Sequence, residues 1–451
     1  MITVYTPNLG FLDADVKIAY GLARVALELL NSHILITPHY GYFQIDITIE
    51  EGRKNELDEA FRLLCSRMLS AETRYAIPGV SAKYRGEYIH RISKIALNEE
   101  KFSIFDFYGQ LPKFSSNLFG LRCRHENVSA FGGKESGLIL GLSGHAGKPY
   151  IRDKVGSRKN LGICVVCGAL AMLGHQSCSL EIRVGNKEVT FLPIPLEKID
   201  DDSFNYLVSA VKTFPAEILE DMPCKLVPLA AMAMHPHLAS ALSSAEFIGS
   251  VHAFEQQKGA WTTRGSAIFE LDPIVKFMHK KPFNQASVMK LLRPTHIEPL
   301  TELFEALTDQ TESGRKLHSL NFARAYAKEF AEFKELLYYK TTEHLLLEVN
   351  KVSEVLIRKD SIMSIARMLN FFVRDRNYEY VDSLRNVRDT VALKEILVKA
   401  MRNAQTRRAA GDPVHIPSST DIQEVIEMSE KGNFNDIKLS ITLLALSHIT
   451  Y

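Results

Sequence analysis

The chain has 451 residues, too many for one compact core, so two or three domains are expected. With 46% hydrophobic and 24% charged residues it has the make-up of a folded protein, which excludes a disordered or low-complexity chain. Its 54 basic and 53 acidic residues leave a net charge of +1, so total charge selects no partner and any binding face must come from local segregation.

The opening "MITVYTPNLGFLDADVK" lacks the basic-then-apolar layout of a signal peptide. The longest uncharged, largely apolar run, Leu161 to Gln176, is too short to span a bilayer. Six cysteines in this setting read as reduced thiols or metal ligands rather than a disulfide framework. The expectation is a soluble, cytoplasmic protein.

In chain order, Ile2 to Thr6 is a short β-rich run closed by the turn residues Pro7, Asn8 and Gly10. Asp13 is expected to cap a helix whose apolar residues Ile18, Leu22, Val25 and Leu29 recur at helical spacing. His33 to Thr37 reads as a strand ending at Pro38. Tyr42 to Ile49 alternates strictly, with Phe43, Ile45, Ile47 and Ile49 on one face. Leu57, Phe61, Leu64 and Met68 mark the next amphipathic helix. No Gly-rich phosphate loop follows the first strand, so this β-α-β-β-α opening is not a dinucleotide-binding unit.

The middle, about 103–195, is rich in loops and glycine. It ends in a hairpin over Ser179 to Ile194 with Gly185-Asn186 as its two-residue turn. "IDDDS" (Ile199 to Ser203) reads as an N-cap cluster for a helix carrying Tyr206 and Val211, and "GSAIFEL" as a strand. From Asn284 onward there are four prolines and almost no strand signal. That stretch reads as helices, with Leu393, Ile396, Leu397, Ala400 and Met401 on one face. The expected division is therefore 1–281 and 282–451. The expected fold class is α+β: mixed α/β N-terminal and middle regions with a candidate zinc knuckle, then a C-terminal all-helical bundle.

Cys164 and Cys167, followed by Gly168, have the spacing of half a tetrahedral zinc site. Two further ligands could come from Cys123 and His125, or from His175 and Cys178. The competing reading is a buried helix that uses Cys and Ala as small packing residues. Just upstream, Lys148, Arg152, Lys154, Arg158 and Lys159 stand on a Gly-rich loop with Tyr150. Such cations can neutralise phosphates while the ring stacks on a base, whereas most charged loops are simply solvated. The loop is not a nucleotide P-loop, because Leu142 occupies the first glycine position and Pro149 replaces Ser/Thr.

A second charge asymmetry lies near the end. Arg367 to Arg408 holds ten basic and five acidic residues, and Asp412 to Asp436 holds six acidic residues against Lys431 alone. That is either a basic groove beside an acidic docking face or ion pairing between neighbouring helices. Arg402, Arg407 and Arg408 are the candidates for phosphate contact, and Arg407 and Arg408 are expected to sit free at a helix end. Catalytic motifs are weak: His235 and His237 lack a carboxylate motif, and neither H-E-x-x-H nor G-x-S-x-G occurs.

Taken in order, "VYTPNLGFLDADVKIAYGLARVAL", "IPGVSAKYRGEY", "GLSGHAGKPYIRDK", "CVVCGALAMLGHQS" and the helical C-terminal part resemble the large subunit of archaeal type I-A CRISPR interference complexes (Cascade). The resemblance implies a non-catalytic DNA-binding subunit that holds the guide-RNA 5′ handle, reads the protospacer-adjacent motif, aids duplex opening and recruits the helicase-nuclease. Its implied partners are guide RNA, target double-stranded DNA and the other Cascade subunits, with no membrane. Some members of that family hold zinc through Cys-x-x-Cys, matched here by Cys164 and Cys167 without a second pair. Base pairing supplies most of the specificity in such systems, so the protein needs basic loops and helices rather than a basic whole. The alternatives are a zinc-dependent nuclease or hydrolase and a protein-only scaffold.

Overall fold

In a computed structural model, the structure describes residues 1–9, 11–50, 52–70, 92–93, 95–97, 103–112, 136–137, 162–163, 165–184, 186–213, 222–257, 260–280, 282–292, 297–332 and 354–446. They form a mixed α+β protein with a C-terminal helical region. The chain divides into two compact units, one of 1–231 and 235–272, the other of 232–234 and 273–451.

Unit 1 begins with β1 (Ile2–Tyr5), α1 (Leu12–Ala26), β2 (His33–His39) and β3 (Tyr42–Thr48). β3 lies antiparallel between β1 and β2, so β1 and β2 run parallel on either side of it, joined by α1: a split β-α-β unit. The alternation on β3 places Phe43, Ile45 and Ile47 inward. Register then builds apolar rows across the sheet, Ile2–Ile47–Ile34 and Val4–Ile45–Ile36. β2 runs through Pro38 to His39 instead of stopping before it, and β3 stops at Thr48, one residue short of Ile49.

α2 (Lys54–Ser70) buries Leu57, Phe61, Leu64 and Met68, and its Asp58 accepts the Ile104 N–H at the start of α3 (Ile104–Tyr108). Two short bridges, β4 (Ser136–Gly137) and β5 (Gly162–Ile163), precede α4 (Val165–Cys178). The hairpin follows as β6 (Leu180–Val184) and β7 (Lys187–Pro195), with Val184 opposite Lys187 and a two-residue turn. β8 (Ile199–Asp200) adds to the edge of β2. The Asp200 side chain then accepts the Ser203 N–H as N-cap of α5 (Asp201–Lys212), the role expected of the acidic cluster. After α6 (Val227–Met234) and α7 (Pro236–Leu242), β9 (Phe247–Gln257) and β10 (Ala260–Glu270) complete a second antiparallel sheet in the order β10-β9-β7-β6.

α1 is expected to bury one face but is buried on nearly every side, including Asp13, Asp15 and Lys17. It packs on the first sheet and against α4, and Tyr20 donates to the Pro193 carbonyl of β7 at 2.8 Å. The α1–α4 crossing is close because both helices carry glycine there. A Cβ at Gly21 would run into the Leu170 carbonyl oxygen, and one at Gly174 into that of Lys17. Asp13 lies inside the first turn, and Phe11 rather than Asp13 is the N-cap residue.

Unit 2 is helical: α8 (Asp272–Lys280), α9 (Pro282–Leu291), α10 (Ile297–Thr308), α11 (Glu312–Glu332), α12 (Glu354–Ile357), α13 (Asp360–Arg374), α14 (Glu379–Asn386), α15 (Thr390–Ala409), α16 (Ser419–Met428) and α17 (Phe434–Leu446). α13 presents Ile362, Ile365, Leu369 and Phe372 to its core, and Asn370 donates to the Ala445 carbonyl of α17. α16 starts on a reciprocal capping box between Ser418 and Asp421. Among the described residues no helix is long and apolar enough to cross a membrane.

Candidate functional site

α15 begins at Asp389, whose side chain accepts the Ala392 N–H, and buries the stripe Leu393, Leu397, Ala400 and Ala404. Ile396 and Met401 lie at its half-buried margins. The helical period leaves Lys394, Arg402, Gln405 and Arg408 exposed in a sector of about 120° that runs from the edge of the buried stripe, at Arg408, to the far side of the helix, at Arg402, over an axial length of about 21 Å. Lys394, Arg402 and Arg408 meet no carboxylate at ion-pair distance among the described residues. The positive field is felt nearby: burial, then Arg367 and Arg408, hold the His415 imidazole below its ordinary range.

Arg407 departs from expectation. It points to the other flank, where it binds the Asp375 carboxylate and, at 3.0 Å, that of Asp412, with its guanidinium 5.7 Å from the Phe371 ring centre. Residues 402 and 408 are on the open side of the helix, while 407 faces the turn after α13. Arg407 is a structural clamp there rather than a free cation.

That turn borders a cavity of about 570 Å³. Arg324 and Lys328 of α11, and Arg376 and Tyr378 of the turn, line it together with Glu298 and Glu302 of α10. Glu302 also receives His318 at 2.8 Å, Lys328 lies 4.0 Å from Glu298, and Arg324 lies 3.0 Å from Asp382. Arg376 holds an unusual backbone position. Its φ is +60°, its N–H bonds to the Val373 carbonyl, and the Asn377 N–H bonds to Phe372. These bonds make a Schellman helix end whose left-handed residue is ordinarily glycine, and a side chain there costs about 1–2 kcal/mol. α15 is pinned to the same turn by Lys399 on Glu379 at 2.6 Å and by Asn403 on the Tyr380 hydroxyl at 2.8 Å.

Of the expected thiol site, Cys167 is described. It lies inside α4, fully buried, with its sulfur 3.0 Å from the Tyr108 hydroxyl. The packed helix of Cys, Gly and Ala weighed in the sequence is what α4 is. Cys164, Cys123 and His125 lie outside the described residues, as do Lys148, Tyr150, Arg152, Lys154, Arg158 and Lys159. Among the described residues no three His, Cys, Asp or Glu side chains are grouped to hold a metal ion. Burial pushes the Cys178 thiol well above its ordinary range and that of Cys65 up to about 12. His235 serves as the N-cap of α7, accepting the Leu238 N–H, and His237 meets the Tyr206 hydroxyl.

Unit 1 contains a constellation the motif search missed. Asp13 and Lys17 of α1, His175 of α4, Glu188 and Thr190 of β7, and Ser250 and His252 of β9 are all buried, with Glu181 of β6 beside them. Glu181, Thr190 and His252 form one cross-strand row. His252 Nε2 lies 2.9 Å from Ser250 Oγ and 3.5 Å from Asp13 Oδ2. The composition is that of a Ser-His-Asp triad, but a relay needs serine and carboxylate on opposite ring nitrogens. Here both face the same one. Burial lowers Lys17 to about 8 against the pull of Asp13 and Glu181. Burial and then Lys17 hold His175 far below its ordinary range, with its Nε2 4.0 Å from Glu181. The signal available in the sequence was polar residues at i, i+2 on strands and i, i+4 on α1, a pattern shared with solvated surfaces.

No protein-family model matches this chain, and no curated protein matches it significantly.

Proposed function

We propose that the chain is a non-catalytic, DNA-binding large subunit of a CRISPR Cascade complex, which reads the protospacer-adjacent motif, helps open the duplex and recruits the helicase-nuclease. The observation that carries this reading is the row of exposed cations Lys394, Arg402 and Arg408 on α15, which meet no carboxylate among the described residues. Three cations along about 21 Å of helix with no counter-charge among the described residues, in a chain of net charge +1, suit a polyanion. The sequence resemblance supplies the assignment to Cascade. In this reading the loop cations Lys148, Arg152 and Lys154 make further phosphate contacts, and pairing by the guide RNA carries most of the sequence choice.

The test is target-duplex affinity of the assembled complex across a salt series. Reversing Lys394, Arg402 and Arg408 to Glu is expected to weaken binding at least tenfold at low salt. It should also flatten the log–log salt slope by about 0.9 per lost contact. Reversing Lys148, Arg152 and Lys154 should act in the same direction. Unchanged affinity and slope in both variants would overturn the reading.

A further inference from the structure

We propose that the cavity beside α15 is a nucleotide pocket that receives one unstacked nucleotide of the strand held on α15, with its base against Tyr378 and its phosphate on Arg376 and Arg324. This rests on the polyanion reading of α15 for the source of the nucleotide, and on the cavity alone for the binding.

Three observations meet at this place. The volume, about 570 Å³, is within the range of small-molecule pockets and suits a mononucleotide. The lining pairs an aromatic ring with three cations, Arg324, Lys328 and Arg376. That is the combination by which proteins hold a base and its phosphate without reading the base edge. Third, a guanidinium stands at a backbone position suited to glycine. A helix end needs no side chain there, so the residue that lines the cavity is kept against the local backbone preference, as strained residues at ligand sites are. The two carboxylates of the lining are outnumbered by its three cations, and each already has a neighbour: Glu302 accepts from the His318 ring at 2.8 Å, and Glu298 lies 4.0 Å from Lys328. Of the cations, Arg376 meets no carboxylate at ion-pair distance among the described residues.

The clamp between α15 and this turn is what makes a strand on α15 the proposed source. Asp375 and Glu379, the residues flanking Arg376 and Tyr378, are held by Arg407 and Lys399 of α15, and Arg402 lies between those two along the helix. A nucleotide unstacked from a strand on Lys394, Arg402 and Arg408 reaches the pocket's ring and guanidinium by crossing the flank that carries Lys399 and Arg407.

The experiment uses the full chain with adenosine 5′-monophosphate, ribose 5-phosphate and a short single-stranded DNA as probes, followed by calorimetric titration. Wild type should bind the mononucleotide, and ribose 5-phosphate should bind several-fold more weakly because stacking is lost. Arg376→Gly should lose about tenfold in mononucleotide affinity, the size expected for a charge-assisted contact. Its thermal midpoint should be no lower, because glycine suits the turn. Tyr378→Ala should abolish the preference for the mononucleotide over ribose 5-phosphate. Strand affinity should fall several-fold in Arg376→Gly, whereas triple reversal of Lys394, Arg402 and Arg408 should weaken the strand but spare the mononucleotide. A chain that binds the strand but not the mononucleotide, or whose mononucleotide affinity ignores Arg376→Gly, overturns the pocket and leaves α15 standing. Mononucleotide binding in a chain whose strand affinity ignores the triple reversal overturns the strand as source, and the α15 reading with it.

Discussion

Lys17 and His175 bury a base each in the core of unit 1, and both are held below their ordinary ranges chiefly by loss of water. Their signs follow from which state holds the proton. For Lys17 the unfolded chain keeps its proton up to about pH 10.5, the folded chain only to about 8. Stability therefore rises with pH through that window, by up to about 3 kcal/mol. For His175 the unfolded chain takes a proton below its ordinary value of 6.5 and the folded chain does not, so stability falls as pH drops below that point, by about 1.4 kcal/mol per unit. Urea denaturation of wild type, Lys17→Met and His175→Phe across pH 5 to 10.5 checks both. The alkaline gain should vanish in Lys17→Met, and a wild-type curve parallel to that of Lys17→Met would refute the claim. Asp13, Glu181 and His252 face the same layer and are common to all three proteins, so the differences isolate the two bases. At Arg376 the residue-scale argument has the opposite outcome: replacement by glycine should stabilise by about 1 kcal/mol while removing a pocket cation.

Among the elements, α1 and α4 depend on backbone contact that no side chain can imitate. The carbonyls of Leu170 and Lys17 occupy the places where a Cβ of Gly21 or Gly174 would stand. Gly174→Ala must therefore push the helices apart, at a cost of about 1–3 kcal/mol or more, despite the better helix propensity of alanine. Thermal melting distinguishes the two effects. A rise in midpoint for Gly174→Ala would mean that the helices do not cross this closely. The expectation is a fall, with Gly52→Ala as a control for a positive-φ glycine that has open space around it. α15 shows the converse arrangement. One side of the helix is packing, one flank is clamped by Arg407 and Lys399, and the remainder carries charge that no carboxylate among the described residues answers.

For the whole molecule, near-perfect charge balance makes a sharp comparison possible. Among the described residues Lys394, Arg402 and Arg408 meet no carboxylate, whereas Arg53, Lys316 and Lys359 are paired with Glu56, Glu312 and Glu424. Neutralising either trio to Gln changes the net charge by the same amount. If polyanion binding comes from local segregation, the first triple variant loses salt-sensitive affinity for DNA and the second keeps it. Equal losses would show that total charge, not the α15 face, governs the association.

The sequence by itself determined the first strands and helices, the hairpin and the helical character of the last part, because period and turn chemistry are local. The alternation of Phe43, Ile45 and Ile47, the two-residue connection between Val184 and Lys187, the Asp200 cap and the change to helices after the last strands all appear where their residues place them. It also showed that the basic excess of the last part lies on helices, but not which cations stay free. That depends on which flank of α15 meets the turn after α13, so Arg407 is caged while Arg408 beside it and Arg402, less than two turns away, are not. Tertiary structure alone decided that α1 is enclosed on both sides, which drew Asp13 and Lys17 into a polar layer with His175, Ser250 and His252. It alone brought Arg324 and Arg376, distant in sequence, to one cavity. The reason is the same in each case: periodicity records which side of an element is apolar, whereas contact between elements depends on sequence-distant backbone and side-chain geometry that periodicity does not encode.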